Sequence, residues 1–368
     1  MFSASFLDRA GNWFLESGIQ DPTGGVARYY RHDSGENRLI STEITGYAIS
    51  TYTYLYSLTR NSRYLDAAQR ASQFLTRTAW NSRHATFPFE FDPSTRTHDP
   101  HTFFFDCGII VRGLLSFWRI AREQEILDTA VKCAESMAVD FPIPAGASSR
   151  HEGFYPILRV DSKKPLETAP HWSKGPGCYQ LKSAMAWEEL FEETGDDRFR
   201  RWYDDALAFS LETHRHFLPG SPDSNRVMDR LHPYCYFLEG LLPHLYRSEC
   251  AAALRDGLAR IGEYLSAIAP QFVRSDVYAQ LLRMRLLAET HEVELVDRLT
   301  ASDEATNLAG FQIASLDQRL DGGYYFGRLG EVWIPHANPV STAFGLQATV
   351  MWEQFRKYQL QMPRQALI

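Results

Sequence analysis

A six-residue pattern occurs twice in this chain, each time between two helix-like stretches. Thr59-Arg60-Asn61-Ser62-Arg63-Tyr64 and Thr194-Gly195-Asp196-Asp197-Arg198-Phe199 both read Thr-x-Asn/Asp-x-Arg-aromatic. Each follows an aromatic-rich stretch and precedes an Ala-rich amphipathic one, Leu65 to Leu75 and Trp202 to Leu211. The Asn or Asp is suited to cap the second helix by accepting a backbone N–H. The copies lie 135 residues apart, which is about two periods of ~67. A third, Ala121-Arg122-Glu123-Gln124-Glu125-Ile126-Leu127, falls between them with its capping residue degenerate. Paired helices repeated at a fixed period constrain the chain to a stacked or closed helical array.

Aromatic-rich first helices are expected to start near Thr42, Asp106, Cys178, Pro233, Ser275 and Ser341. Second helices follow the first five near residues 62–77, 123–139, 196–215, 250–268 and 289–301. The sixth first helix carries Phe344, Ala348, Met351, Phe355 and Tyr358 on one stripe and ends the chain. Its partner is an amphipathic helix at residues 2–17, where Phe2, Phe6, Ala10, Trp13 and Phe14 keep a helical spacing. The expectation is twelve helices in one domain, residues 1–368, with the array closing end to start. Cys107 to Ile120 has only Arg112 and Arg119 as charges, and a helix apolar almost all round is buried on most sides. Asp128 to Val139 is amphipathic and belongs outside. Pro243 predicts a kink or an end in the fourth inner helix.

The formal charge is −7 and the pI near 6.0, with no long basic run. That excludes the clustered positive face of a nucleic-acid partner. No apolar run reaches the ~18 residues of a membrane span, and the N-terminus lacks the basic start and apolar stretch of a secretory signal. The five cysteines are odd in number and form no CxxC, so reduced thiols and a cytoplasmic location are expected. Trp 8, Tyr 18 and Phe 23 supply a large core with rings left over to line a cavity.

Hairpin number, the Thr-x-Asn/Asp-x-Arg-aromatic turns and the glycine-aromatic loops together resemble the six-hairpin glycosidase-like superfamily over nearly the whole chain. The fold this implies is all-α, an (α/α)6 toroid of six helical hairpins with short β-strand insertions in the loops at one face. The superfamily includes glycoside hydrolases, unsaturated glucuronyl hydrolases, polysaccharide lyases and N-acylglucosamine 2-epimerases, and one fold hosts many reactions. The resemblance therefore implies a carbohydrate-active enzyme with a saccharide ligand. A glycoside hydrolase acting on a saccharide, with uronic acids among the candidates, leads. A sugar epimerase or polysaccharide lyase using His/Tyr proton transfer is the alternative, and a non-catalytic glycan-binding or scaffold toroid is the third reading.

Loops 18–41, 81–105, 140–177, 217–232 and 302–340 are long and lead into the inner helices, and long loops on one face of a rigid scaffold carry binding residues. Gly24 to Tyr30 and Gly322 to Gly327 read as paired strand-like insertions there. Hairpin register places Glu43 and Asp106 at the tips of consecutive inner helices, a pair suited to acid and base or nucleophile roles on a sugar. Both residue types also suit a helix N-terminus for capping and dipole reasons alone. His171 and His232 are further catalytic candidates, and His98, His101 and His336 stand in the same loops; histidine exchanges protons near neutral pH. Tyr30, Trp172, Tyr179, Tyr234 and Trp333 are candidate stacking platforms, with His101 beside them. Arg28, Lys174 and Arg226 suit a uronic acid carboxylate. Cys107, Cys178 and Cys235 fall near helix tips, but no zinc motif accompanies them; neither a metal nor a cofactor is expected.

Overall fold

The computed structural model describes residues 4–144, 153–169, 171–218 and 224–368. Within them the α-helices are α1 (Ala4–Glu16), α2 (Thr42–Thr59), α3 (Ser62–Gln73), α4 (Phe104–Ala121), α5 (Gln124–Asp140), α6 (Leu181–Thr194), α7 (Asp197–Phe217), α8 (Ser224–Gly240), α9 (Ser248–Ile268), α10 (Ser275–Thr290), α11 (Arg298–Ala309) and α12 (Pro339–Arg356). The strands are short: β1 (Val26–Ala27), β2 (Tyr30–Arg31), β3 (Glu36–Asn37), β4 (Ile40–Ser41), β5 (Glu90–Asp92), β6 (Thr97–His98), β7 (His101–Phe103), β8 (Ile157–Arg159), β9 (Phe272–Arg274), β10 (Gly327–Leu329), β11 (Val332–Trp333) and β12 (His336–Ala337). No described helix is long and apolar enough to cross a membrane. The opening residues of the expected 2–17 helix, Phe2 and Ser3, lie outside the described residues, as do parts of the loops at 140–177 and 217–232.

The recurrent turn has the same hydrogen bonds in both copies. Thr59 and Thr194 hydroxyls donate back to Leu55 and Leu190 carbonyls at 2.8 and 2.7 Å, and each accepts the N–H two residues on at 3.2 Å. Asn61 and Asp196 accept the N–H of Arg63 and Arg198 at 3.1 and 2.9 Å, so each opens a helix as its chemistry predicts. Arg60, Arg122 and Gly195 take the left-handed conformation at the three turns, and the aromatic positions Tyr64 and Phe199 are buried.

The chain divides into two compact units. A central unit comprises Asp21–Val26 and Leu39–Phe217; a split unit comprises Met1–Gln20, Ala27–Arg38 and Leu218–Ile368. The central unit holds three hairpins, α2–α3, α4–α5 and α6–α7, with α4 packed between α2 and α6. Glycines allow the close approach. A Cβ on Gly113 would lie 2.4 Å from the Gly46 carbonyl oxygen, and one on Gly108 would lie 2.5 Å from Ser183. β4, β5 and β6 form a meander and β7 pairs with β8.

The split unit holds the other three hairpins: α8–α9, α10–α11, and α12 packed against α1. Arg9 Nη2 donates to Asp321 Oδ1 at 2.6 Å and Trp13 Nε1 to the Arg319 carbonyl at 2.9 Å. The N-terminal helix is thus the partner of the last one, as the hairpin count requires. The two glycine-aromatic insertions share a sheet, because Ala337 on β12 pairs with Tyr30 on one side and Tyr325 on the other.

Two boundaries differ from the sequence expectation. α8 starts at Ser224, so Pro233 lies inside it and costs one rung to the Asp229 carbonyl. α11 begins at Arg298, capped by Asp297 accepting the Leu299 N–H at 3.1 Å, and α10 runs on to Thr290. α8 ends at Gly240, and Pro243 sits in the short 3₁₀ turn that follows.

Candidate functional site

Inner helices are repeatedly entered straight from a short strand: β4 into α2, β7 into α4, β9 into α10. Each of these junctions places a carboxylate in the helix's first turn, Glu43, Asp106 and Asp276, where the helix dipole favours negative charge.

In the split unit the junction builds a buried polar cluster. Arg274 is the N-cap residue of α10. It donates Nε to Asp276 Oδ1 at 3.0 Å, Nη2 to Asp276 Oδ2 at 2.6 Å, and Nη1 to Asp229 Oδ1 on α8 at 3.3 Å. His232 on α8 hydrogen-bonds through Nδ1 to Gln280 Oε1 at 2.7 Å, with Asp276 Oδ2 farther away at 3.4 Å. Its ring meets Tyr236 edge-on at 4.5 Å. His232 is 6% exposed and Gln280 0%. Burial, reinforced by Arg274, pushes the imidazole down to about 4, so it is neutral at physiological pH. Burial opposes the Asp276 charge, and Arg274 with His232 more than offsets this, holding the carboxyl below its usual range. Deeper in the same unit Arg283 on α10 pairs with Glu239 on α8 and donates to Gln347 Oε1 on α12 at 2.9 Å.

The remaining split-unit candidates sit around the sheet. Trp333 stacks on Tyr325 at 5.0 Å and meets Phe311 edge-on at 5.3 Å. His336 stacks on Tyr29 at 4.2 Å, and burial lowers its pKa. Tyr30 is buried with Arg319 over its ring at 4.0 Å; Arg28 is exposed. Tyr234 has no exposed face: it packs against Phe237, with Arg260 over its ring and Gly257 of α9 beside it. That is a packing position between α8 and α9, away from the loops where a stacking platform was expected.

In the central unit Asp106 is buried and Glu43 partly exposed. Tyr179 is buried, its hydroxyl donating to the Gly175 carbonyl at 3.0 Å. Its ring meets Trp172 edge-on at 5.2 Å and Phe105 at 6.0 Å. Burial and the nearby Asp106 charge push its phenol up. His171 is exposed and bonds within its own turn, Nδ1 to Ser173 Oγ at 2.9 Å. His101 Nδ1 lies 3.0 Å from Asp99 Oδ1. Cys107, next to Asp106, is buried beside the Thr86 and Thr102 hydroxyls at 3.4 Å, and a hydrogen bond with Cys133, aided by those hydroxyls, takes its thiol down to about 6. Among the described residues no three His, Cys, Asp or Glu side chains gather into a metal-binding group.

A groove of about 650 Å³ runs between α9, α10 and α11, lined by Tyr278, Arg285 and Glu304 among others. Burial raises Glu304 to about 7 despite the Arg285 Nε–H at 2.8 Å. It involves none of the strand-to-helix junctions.

Sequence reading singled out His232 but missed Arg274, Asp276 and Gln280. Asp276 was findable, because Arg274-Ser275-Asp276 repeats the register of Ser41-Thr42-Glu43. Gln280 meets His232 across 48 residues of sequence, and no local pattern announces that pairing.

No family model and no curated protein sequence matches the chain. Solved structures do. A sugar epimerase from a ruminal bacterium superposes with a TM-score of 0.73 at 12% identity, over 94% of this chain and 97% of that one. Cellobiose 2-epimerase from Spirochaeta thermophila gives 0.70 at 16%, over 94% and 95%. The chain has the six-hairpin, (α/α)6 fold. The same fold at 10% identity and a TM-score of 0.62, over 94% and 99%, is found in an inactive α-1,6-mannanase variant from Salegentibacter sp. HEL1_6, solved with α-1,6-mannotriose. Six-hairpin neighbours thus include both sugar epimerases and an α-1,6-mannanase.

Proposed function

We propose that the protein is a carbohydrate-active enzyme that moves a proton at a sugar carbon next to a carbonyl, an epimerase- or isomerase-type reaction, with His232 as the base. The observation that carries this reading is an imidazole held in a buried, hydrogen-bonded cluster and unprotonated at neutral pH, so that an uncharged ring nitrogen can accept a proton. The sugar epimerases among the structural neighbours support it. In an open-chain aldose, His232 takes the proton from C2 and the C–H electron pair passes into the C1 carbonyl, giving an enediolate. Return of a proton to the opposite face of C2 gives the epimer; its delivery to C1 gives the ketose. His336, in the same unit and with its pKa lowered by burial, is the proposed second proton carrier: it takes a proton from solvent, passes it to the opposite face of C2 and returns to the neutral imidazole. Trp333, stacked on Tyr325, is the proposed saccharide platform, and Arg28 an exposed cation for an acidic sugar.

Hydrolysis by Glu43 and Asp106 is the second reading. It is favoured by their place in the first turns of α2 and α4, two helices held in close contact through Gly46 and Gly113. His101, His171, Trp172 and Tyr179 would then serve the central unit's site.

Chromatography of reducing mono- and disaccharides after incubation separates the readings. His232→Gln is expected to lose epimer or ketose formation by a factor on the order of 10²–10⁴, while Glu43→Gln and Asp106→Asn retain it. Release of new reducing ends that Glu43→Gln or Asp106→Asn abolishes, with His232→Gln unaffected, would establish hydrolysis instead.

A further inference from the structure

Two side-chain oxygens face His232 Nδ1, and the neutral one is nearer: Gln280 Oε1 at 2.7 Å against Asp276 Oδ2 at 3.4 Å. Asp276 is already held by Arg274 through two hydrogen bonds, at 3.0 and 2.6 Å. A bidentate guanidinium fixes the orientation of both carboxylate oxygens, and its own positive charge opposes part of the field that Asp276 puts on the ring. Gln280 is fully buried on α10, and its Nε2 is buried with no hydrogen-bond partner among the described residues. A buried amide hydrogen left unsatisfied costs about 1–3 kcal/mol, so the residue is placed for its other atom, the oxygen facing the imidazole.

From this we infer that Gln280 is a positioning residue that fixes His232 as the Nδ1–H tautomer and so makes Nε2 the basic nitrogen, while Arg274 engages both oxygens of the more distant Asp276 carboxylate. An amide acceptor orients an imidazole without stabilising its protonated form as strongly as a carboxylate does. Among the described residues, charged groups acting on the ring include Asp276 and Arg274 from the β9–α10 junction and Glu239 from α8 itself, and Asp229 on α8 accepts from Arg274. The arrangement keeps the base unprotonated well below neutral pH, and it extends the acid side of the working range. It rests on the reading of His232 as the base only for its catalytic consequence, because the tautomer is a property of the resting protein.

The test is ¹⁵N NMR of protein labelled at histidine, with the His232 signals assigned by their loss in His232→Gln. The wild type is expected to show a protonated Nδ1 and an unprotonated Nε2, with no titration between pH 8 and 5. In Gln280→Glu the midpoint is expected to rise by at least one pH unit, and in Gln280→Leu the Nε2–H tautomer is expected to gain population. Asp276→Asn should leave the tautomer as it is. A wild-type spectrum with Nε2 protonated, meaning that the amide donates to Nδ1, overturns the inference; so does a Gln280→Glu protein that titrates like the wild type. If Gln280→Glu does not fold, the wild-type spectrum and Gln280→Leu decide. An Nδ1–H tautomer in a protein that turns over no sugar would leave this inference standing and remove the proposed function.

Discussion

In the central unit β7 runs into α4 and delivers Asp106; in the split unit β9 runs into α10 and delivers Asp276. Both are buried aspartates in the first turn of an inner helix. They differ in the residue at the helix cap, which is Phe103 in one and Arg274 in the other. With Arg274 at the cap, Asp276 becomes half of a bidentate ion pair, and Arg274 opposes the field that Asp276 puts on His232. With Phe103, Phe104 and Phe105 around it, Asp106 acts on Tyr179 and raises that phenol. The same backbone junction thus carries a cationic cap that pairs with the aspartate in one unit and an apolar cap in the other.

Arg274→Met should break the split-unit junction most severely. It leaves the Asp276 carboxylate buried without its cation, at a cost of about 3–5 kcal/mol in urea unfolding. A loss below ~1 kcal/mol would mean that the pair is not held as drawn.

Acid should sharpen the contrast further. The His232 imidazole titrates near 6.5 when unfolded and about 4 when folded. Its contribution is therefore complete above pH 6.5 and is lost as pH falls toward 4, by about 3 kcal/mol. Glu304, raised to about 7, runs the other way: it favours folding as pH falls from 7 toward 4.5. The measurement is therefore the stability difference between wild type and His232→Gln, which cancels Glu304 and should shrink by that amount from pH 7 to 4. A difference that stays constant would place His232 in water.

Asp106→Asn should be the mildest, about 1 kcal/mol or less, since it removes a charge favoured by the helix dipole and leaves an isosteric amide in its place. A cost equal to that of Arg274→Met would show that Asp106 is also part of an ion-pair network, and the contrast between the junctions would fail.

How much of this was legible follows from where the determining contacts lie. The Thr59–Tyr64 and Thr194–Phe199 turns are local, within six residues, and the hydrogen bonds expected of Asn61 and Asp196 are those found. The pairing of α1 with α12 follows from counting hairpins. The start of α8 was misplaced, because Pro233 looked like a boundary while the upstream turns from Ser224 carry the helix through it. His171 and His232 looked alike, each preceding a Trp or Pro at the edge of a loop. One bonds within an exposed turn and the other is enclosed by residues 44 and 48 positions away. That difference is made by tertiary packing, and spacing along the chain does not encode it.

The most direct measurement of the account is solvent deuterium uptake. Reducing sugars incubated with the protein in D₂O at neutral pD should be recovered one mass unit heavier at C2, and His232→Gln should lose this labelling while keeping its fold. Wild-type turnover without any deuterium at C2 of an epimer or C1 of a ketose, or labelling that persists unchanged in His232→Gln, would contradict the assignment of His232 as the base.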